Sequence, residues 1–286
     1  MKIIKSPEKV NQLVNRWKRR GESVGFVPTM GALHEGHLAL IRRARKENSR
    51  VVVSIFVNPA QFGPGEDYRR YPRPFRRDAG WCRQAKVDLL FYPAAEKMYP
   101  ADYRTEVHLR DWENIWCGRF RPGHFAGVAT VVAKLLNIVS PHRAYFGEKD
   151  FQQLVIIKKM VADLNFPVEI IAVKTVRESS GLAMSSRNIY LNKAERRAAE
   201  KLYPELKKIR ADLLTGRLKP TGLPGRLKSR LKQLPEFEKI NWKLDYAAVV
   251  NNENLSTVKK IAGRGNARIL VALWIGSTRL IDNLLV

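Results

Sequence analysis

Pro28-Thr29-Met30-Gly31-Ala32-Leu33-His34-Glu35-Gly36-His37 is the stretch on which the reading of this chain turns. It follows an apolar run, Val24 to Val27, with the character of a buried strand. It precedes Leu38 to Asn48, where Leu38, Ile41 and Ala44 recur along one helical side. Strand, glycine-bearing turn and helix start therefore come in succession. The first turn of a helix carries unpaired N–H groups and a partial positive charge, which together make an anion site. His34 and His37 fall on one face of that turn. Two imidazoles beside such amides suit a polyphosphate, because histidine can donate hydrogen bonds there or move a proton. One histidine here would read as a cap or a surface residue. A pair bracketing a glycine after a strand points to nucleotide binding.

The chain has 286 residues, 45% of them hydrophobic, which allows one large domain or two medium ones with a proper core. No apolar run approaches the ~20 residues that span a bilayer. The longest, such as Val51 to Val57 and Leu270 to Ile275, are strand-sized. Met1 to Gly21 alternates charges with scattered Ile, Val and Leu. It reads as an amphipathic helix rather than an export signal, so a cytoplasmic location is expected. Cys82 and Cys117 form no CxxC pair and read as packing residues in a reducing compartment. Lys and Arg number 52 against 27 Asp and Glu, a net charge of +25. Nucleic-acid binding is the sharp reading of such a surplus. The basic residues are instead spread through the chain and gather on helix faces, as at Arg196, Arg197, Lys207 and Lys208, with no separate basic tail. That favours a solvated basic surface, with no specific nucleic acid and no membrane as partner.

Apolar runs alternate with helical patterns over the first part of the chain, the mark of a parallel sheet with crossover helices. Strands are expected at Arg50 to Val57, Asp88 to Tyr92, Arg143 to Phe146 and Val168 to Val173. Helices are expected at Phe75 to Lys86, Ala126 to Val139 and Phe151 to Leu164, with a shorter one at Arg110 to Trp116. Asn58 to Pro74 is a loop long enough to be functional. Strand, glycine turn and helix recur at Gly147 to Asp150, so a second helix start can face the crevice beyond the carboxyl ends of the strands. Around Val176 the character changes, and a domain boundary is expected near residue 175. The first domain, 1–175, reads as a Rossmann-like doubly wound parallel α/β sheet. The second, 176–286, reads as a smaller α+β unit. In it Lys193 to Leu214 is a helix with Pro204 as a possible kink point, Thr215 to Arg226 is a loop, and strands lie near Trp242 to Val250 and Arg268 to Ile275.

Two further groups join the histidine stretch. Gly147-Glu148-Lys149-Asp150, followed by Gln153, puts a point charge suited to phosphate just before a helix. Asp150 there could cap the helix and accept from a ribose hydroxyl. Met184-Ser185-Ser186-Arg187-Asn188 offers two hydroxyls and a guanidinium that can clasp a pyrophosphate. Each group alone is commonplace at a helix start or in a polar linker. Together, in this order and on these elements, they are hard to explain as chance.

On these motifs the chain resembles the nucleotidyltransferase superfamily with the HxGH signature, which includes the class I aminoacyl-tRNA synthetases. More closely it resembles the pantoate–β-alanine ligase family. The matching stretches are PTMGALHEGH (28–37), FVNPAQF (56–62), YPR (71–73), RPGHFAGVATVV (121–132), GEKDFQQL (147–154), GLAMSSRN (181–188) and TRLIDN (278–283). The resemblance implies a two-step ligation. The pantoate carboxylate attacks the α-phosphate of ATP, releasing pyrophosphate and leaving pantoyl adenylate. The amine of β-alanine then displaces AMP to give pantothenate. Such a site must hold two anions together while charge develops at phosphorus, which calls for fixed positive groups and for positioning.

The resemblance also implies residue roles. Met30, Gly31, Ala32, Leu33, His34, Glu35, Gly36 and His37 would line the ATP site, His34 touching phosphate and His37 giving a proton as pyrophosphate leaves. Gly147, Glu148, Lys149 and Asp150 would bind ATP, Lys149 at the phosphates and Asp150 near the ribose. Val176 would offer its backbone to adenine, and Met184, Ser185, Ser186 and Arg187 would close over the phosphates. Gln61 and Gln153 would hold pantoate, with Gln61 later near β-alanine and with Asn58, Tyr71 and Arg121 near the pocket. Members of this family carry acids that help hold Mg²⁺ in the helix after YPR. Here Phe75-Arg76-Arg77-Asp78 leaves Asp78 as the candidate. A homodimer is implied as well. The alternatives are a free adenylyltransferase or a synthetase relative, but no anticodon-binding extension is evident and Met184 to Asn188 lacks the paired lysines of the synthetase loop.

Overall fold

The computed structural model describes residues 1–286 apart from Ala262 and Arg264. The chain divides into two compact units. The first comprises Met1–Glu148 with Ile156–Lys174, and the second Lys149–Val155 with Thr175–Val286.

In the first unit, strands β1 (Lys2–Ile4), β2 (Val24–Thr29), β3 (Arg50–Ile55), β4 (Leu89–Phe91), β5 (Arg143–Gly147) and β6 (Glu169–Val173) form one sheet, in the order β1-β4-β3-β2-β5-β6. Every pairing is parallel. The connecting helices are α1 (Pro7–Arg19), α2 (Glu35–Glu47), α3 (Phe75–Gln84), the one-turn α4 (Ala95–Met98) and α5 (Cys117–Phe120), α6 (His124–Val139) and α7 (Phe151–Asp163). From β2 the chain winds outward through β3 and β4, then returns to place β5 on the other flank of β2. The loops after β2 and β5 thus leave the sheet at its topological switch point, where such folds bind ligands. Val27, Ile41, Val51, Val53, Leu90 and Tyr145 belong to the core that holds α2 and α3 on the sheet.

The second unit carries α8 (Lys193–Leu214), α9 (Leu223–Lys232) and the one-turn α10 (Pro235–Glu238). These accompany an antiparallel sheet of β7 (Trp242–Asn251), β8 (Ala267–Ile275) and β9 (Thr278–Leu285). Asn192 caps α8 by accepting from the Ala194 and Glu195 amides, and Glu195 returns a bond to the Asn192 amide. The helix runs on through Pro204. Leu202, Leu206, Ile209, Leu227, Ile269 and Val271 are part of its core. No described helix is long and apolar enough to cross a membrane, and Cys82 and Cys117 are buried and outside any disulfide. Burial, with the nearby Asp78 charge, pushes the Cys82 thiol up to about 12, so it stays protonated and serves packing.

Three expectations need correction. Met1 to Gly21 is a strand followed by a helix, because Ser6 caps α1 and Pro7 opens it, leaving Lys2–Ile4 to pair with Leu89–Phe91. The loop expected over Thr215 to Arg226 ends early, with α9 beginning at Leu223 and Pro224 in its first turn, where a missing N–H costs nothing. Strand β9 was not anticipated.

One close approach fixes the wall of the site. Helix α6 packs against the single turn Pro59–Gln61, and a Cβ at Gly127 would lie 2.2 Å from the Ala60 carbonyl oxygen. Gly127→Ala should therefore cost about 1–3 kcal/mol of stability through overpacking, read by urea unfolding. An unchanged midpoint would contradict the packing described.

Candidate active site

The histidine stretch is built by local bonds at the end of β2. Thr29 Oγ1 donates to the Ser54 carbonyl at 2.7 Å and accepts from the Gly31 amide at 3.1 Å. Gly31 has φ +81°, a left-handed turn with no room for a side chain, since a Cβ would meet Ile55 at 2.9 Å. The next two amides turn inward. Ala32 N–H donates to Asp78 Oδ2 at 2.7 Å and Leu33 N–H to Oδ1 at 3.1 Å.

Helix α2 is capped by its histidines. His34 is the N-cap, and its Nδ1 accepts from the Gly36 amide at 3.1 Å. His37 Nδ1 lies 3.4 Å from the His34 amide and completes a capping box. The ring centroids are 4.1 Å apart. The expectation of unpaired amides at this helix start is thus corrected, because the Gly36 and His34 amides are taken by imidazole nitrogens. An Nδ1 that accepts a hydrogen bond carries no proton, so each neutral ring carries its proton on Nε2. Each ring thereby keeps one N–H donor, at Nε2.

The pocket wall lies one strand away. Asn58 Oδ1 caps the turn Pro59–Gln61 through the Ala60 amide at 3.3 Å, and Tyr99 donates to the same oxygen at 2.8 Å. Burial raises the Tyr99 hydroxyl above its ordinary pKa, so it remains a donor. Asn58 Nδ2 donates to Gln61 Oε1 and to the Gly127 carbonyl, each at 3.1 Å. With its oxygen held, Gln61 Nε2 lies 3.2 Å from Met30 Sδ, a weak acceptor that a carboxylate oxygen outcompetes. The Gln61 carbonyl accepts from Arg121 Nη2 at 3.2 Å and contacts His124 Nδ1 at 2.8 Å. Arg121 also pairs with Glu66, Nε to Oε1 at 2.7 Å. Arg121 is therefore a clamp on the Gln61 backbone. Tyr71 is buried, with Phe62 6.0 Å away edge-on. A cavity of about 160 Å³ lies beside these elements, with Met30, Gly31, Phe56, Tyr68, Arg73 and Tyr92 among its lining. His124, Glu66, Tyr99 and Gly127 escaped the sequence reading, although His124 and Gly127 lie in RPGHFAG.

Gly147 ends β5 and Glu148 opens the following 3₁₀ turn, both in the first unit, whereas Lys149, Asp150 and Gln153 group with the second. Lys149 and Asp150 sit in a single 3₁₀ turn with Nζ 3.8 Å from the carboxylate. Gln153 is half-buried on the first turn of α7. The Val176 carbonyl accepts from the Met184 amide at 3.1 Å. Ser185 caps the turn Ser186–Tyr190 through the Arg187 amide at 3.2 Å. Met184, Ser185, Ser186 and Arg187 are half-buried. Asn188 is buried and ties this loop to the Ala183 carbonyl and to Glu178.

The sequence profile described as Pantoate-beta-alanine ligase matches residues 2–285. The chain belongs to this family. It is 50% identical over 283 residues to a pantothenate synthetase of Thermotoga petrophila, covering 99% of each chain. The crystal structure of pantothenate synthetase from Thermus thermophilus superposes with TM-score 0.90 at 47% identity, covering 99% of both chains. The pantoate-beta-alanine ligase of Francisella tularensis, solved with beta-gamma ATP and beta-alanine, superposes with TM-score 0.82 at 36% identity, over 100% of this chain and 97% of its own. The parallel sheet with flanking helices and the small antiparallel sheet are the fold of these neighbours.

Asp78 does not fit the metal role. It is 1% exposed, and both oxygens accept from backbone amides. Among the described residues no group of three or more His, Cys, Asp or Glu could hold a metal ion. Asp78 buttresses the turn that carries the histidines. Asp78→Asn should turn an NH₂ toward one of the two amides and leave it unsatisfied, costing about 1–3 kcal/mol. Amide hydrogen exchange at Ala32 and Leu33 should then speed up. Unchanged protection and unchanged stability would contradict this role.

Proposed function

We propose that this protein condenses pantoate with β-alanine at the expense of ATP, through a pantoyl adenylate, releasing pyrophosphate and then AMP. The observation that carries the mechanism is the histidine-capped start of α2 at the switch point. Phosphate chains meet a helix start at the switch point of such folds, and an Nε2–H donor on each ring suits that ligand. Membership of a ligase family over residues 2–285, and a relative solved with beta-gamma ATP and beta-alanine, support the same reading.

In this reading Met30 to His37 with Gly147, Glu148, Lys149 and Asp150 bind ATP. His34, whose Nδ1 accepts from the Gly36 amide at 3.1 Å, donates from Nε2 to phosphate. His37 has the longer and weaker cap bond, at 3.4 Å. His37 is the ring assigned to deliver a proton as pyrophosphate leaves. Lys149 neutralises phosphate charge as a point donor. Gln61 gives its NH₂ to the pantoate carboxylate while Asn58 fixes the amide's orientation, and Gln153 holds pantoate as well. Arg121 and Tyr71 act by holding the wall. Val176 serves adenine through its backbone, and Met184 to Arg187 serve the phosphates. Mg²⁺ belongs to this reading only as counter-ion of the ATP phosphates, which hold it readily without a protein cage. The active species is a cytoplasmic homodimer in which 1–175 binds ATP and pantoate and 176–286 acts as the lid.

The test is a mixture of ATP, pantoate and β-alanine, with AMP and pantothenate followed as products. Stoichiometric formation of both is expected. No turnover with pantoate or with any other hydroxy acid would overturn the ligase reading. His37→Ala and Lys149→Ala should each lower turnover by about 10²–10⁴-fold. Near-normal rates for both would remove them from the mechanism.

A further inference from the structure

TRLIDN, residues 278–283, carries part of the family resemblance, yet nothing in the reaction scheme above uses it. The structure gives its last residue a defined task. Asn283, at 4% exposure on β9, spans two bonds with its side-chain amide. Oδ1 accepts from Arg268 Nη1 at 2.6 Å, and Nδ2 donates to the Lys149 carbonyl oxygen at 2.9 Å. The amide's orientation follows from its partners. A guanidinium can only donate and a carbonyl can only accept, so a flipped amide would meet two mismatches.

Both ends of this bridge are braced. The Arg268 guanidinium lies 4.1 Å from the Phe151 ring, two residues beyond Lys149. The Asn283 amide N–H donates to Asp282 Oδ1 at 2.7 Å. Asp282 takes Arg177 in a two-pronged pair at 2.7 and 2.8 Å. Arg177 in turn donates to the Gly181 carbonyl at 3.1 Å, at the head of the Met-Ser-Ser-Arg loop. The tip of β9 therefore ties down two segments assigned above to phosphate.

We propose that Asn283 is a positioning residue for Lys149. It restrains the carbonyl of a residue that sits in a single 3₁₀ turn, and so sets where the lysine side chain begins. Lysine is a point charge on a flexible stem, and its effectiveness at a phosphate depends on where its backbone holds it. Arg268 and Phe151 keep Asn283 in register. This proposal rests on the reading that Lys149 binds phosphate.

The test is a double-mutant cycle on pantoate-dependent pyrophosphate release, with thermal unfolding measured beside it. Asn283→Asp keeps the acceptor for Arg268 and removes the donor to Lys149. It should lower the rate by about 10–100-fold, the scale of a misplaced catalytic group, with an unfolding midpoint that falls but stays above the assay temperature. In a Lys149→Ala background the same substitution should change the rate by less than about twofold, because the group it positions is gone. If the carboxylate opposite the carbonyl prevents folding, Asn283→Ala in both backgrounds completes the same cycle. A near-normal rate for the Asn283 variants, or an equal loss in both backgrounds, overturns the proposal while the role of Lys149 stands. A near-normal rate for Lys149→Ala removes that role, and the proposal with it.

Discussion

Two imidazole nitrogens cap the helix that the nucleotide reading depends on. A helix start ordinarily satisfies its first amides with a serine, threonine or aspartate oxygen. Here His34 and His37 accept those bonds through Nδ1. The choice has a chemical consequence. A hydroxyl or carboxylate cap leaves a compact, often anionic group at the tip, whereas an imidazole cap carries an N–H donor on the far side of the ring. The capping bonds therefore assign the tautomer, and the tautomer puts the ring proton on Nε2, the donor that the proposed phosphate contact uses.

The turn that presents these rings is held from behind. Asp78 takes the Ala32 and Leu33 amides, and Thr29 ties Gly31 to the neighbouring strand. A buried carboxylate bonded to two amides is a costly arrangement to disturb, since removing either partner strands a desolvated polar group. The same logic runs through the pocket wall, where Asn58, Arg121 and His124 fix both the side chain and the carbonyl of Gln61. Gly31, Ala32, Leu33, Gln61 and Lys149 each take a hydrogen bond with a residue to which the proposed scheme gives no part in ATP binding.

Much of this was legible in the sequence, and the rest was not for physical reasons. Long apolar runs and 3.6-residue periodicity marked β2, β3, α2, α6 and α8, because burial on one face imposes those patterns. Strand β1 is three residues long and abuts a strongly amphipathic helix, so it merged with that helix. Strand β9 carries Arg279, Asp282 and Asn283 among its apolar residues, and those polar groups conceal the alternation. The histidine pair, Gln61, Lys149 and the Met-Ser-Ser-Arg loop were visible as motifs. Their supports were not, because each acts across a large sequence separation: Asp78 across 46 positions, His124 across 63 and Asn283 across 134. A carboxylate in the right helix suggested a metal ligand until its two amide partners were placed.

The tautomers of His34 and His37 test the central claim most directly. The chain has five histidines, few enough for long-range ¹H–¹⁵N correlation spectra of ¹⁵N-imidazole-labelled protein, assigned by single substitutions. Above about pH 8, where neutral imidazole dominates, both rings should give the Nε2–H pattern, with Nδ1 shifted as a hydrogen-bond acceptor. An Nδ1–H pattern at either residue would mean that the ring does not cap the helix and that its donor faces away from where the phosphates are placed.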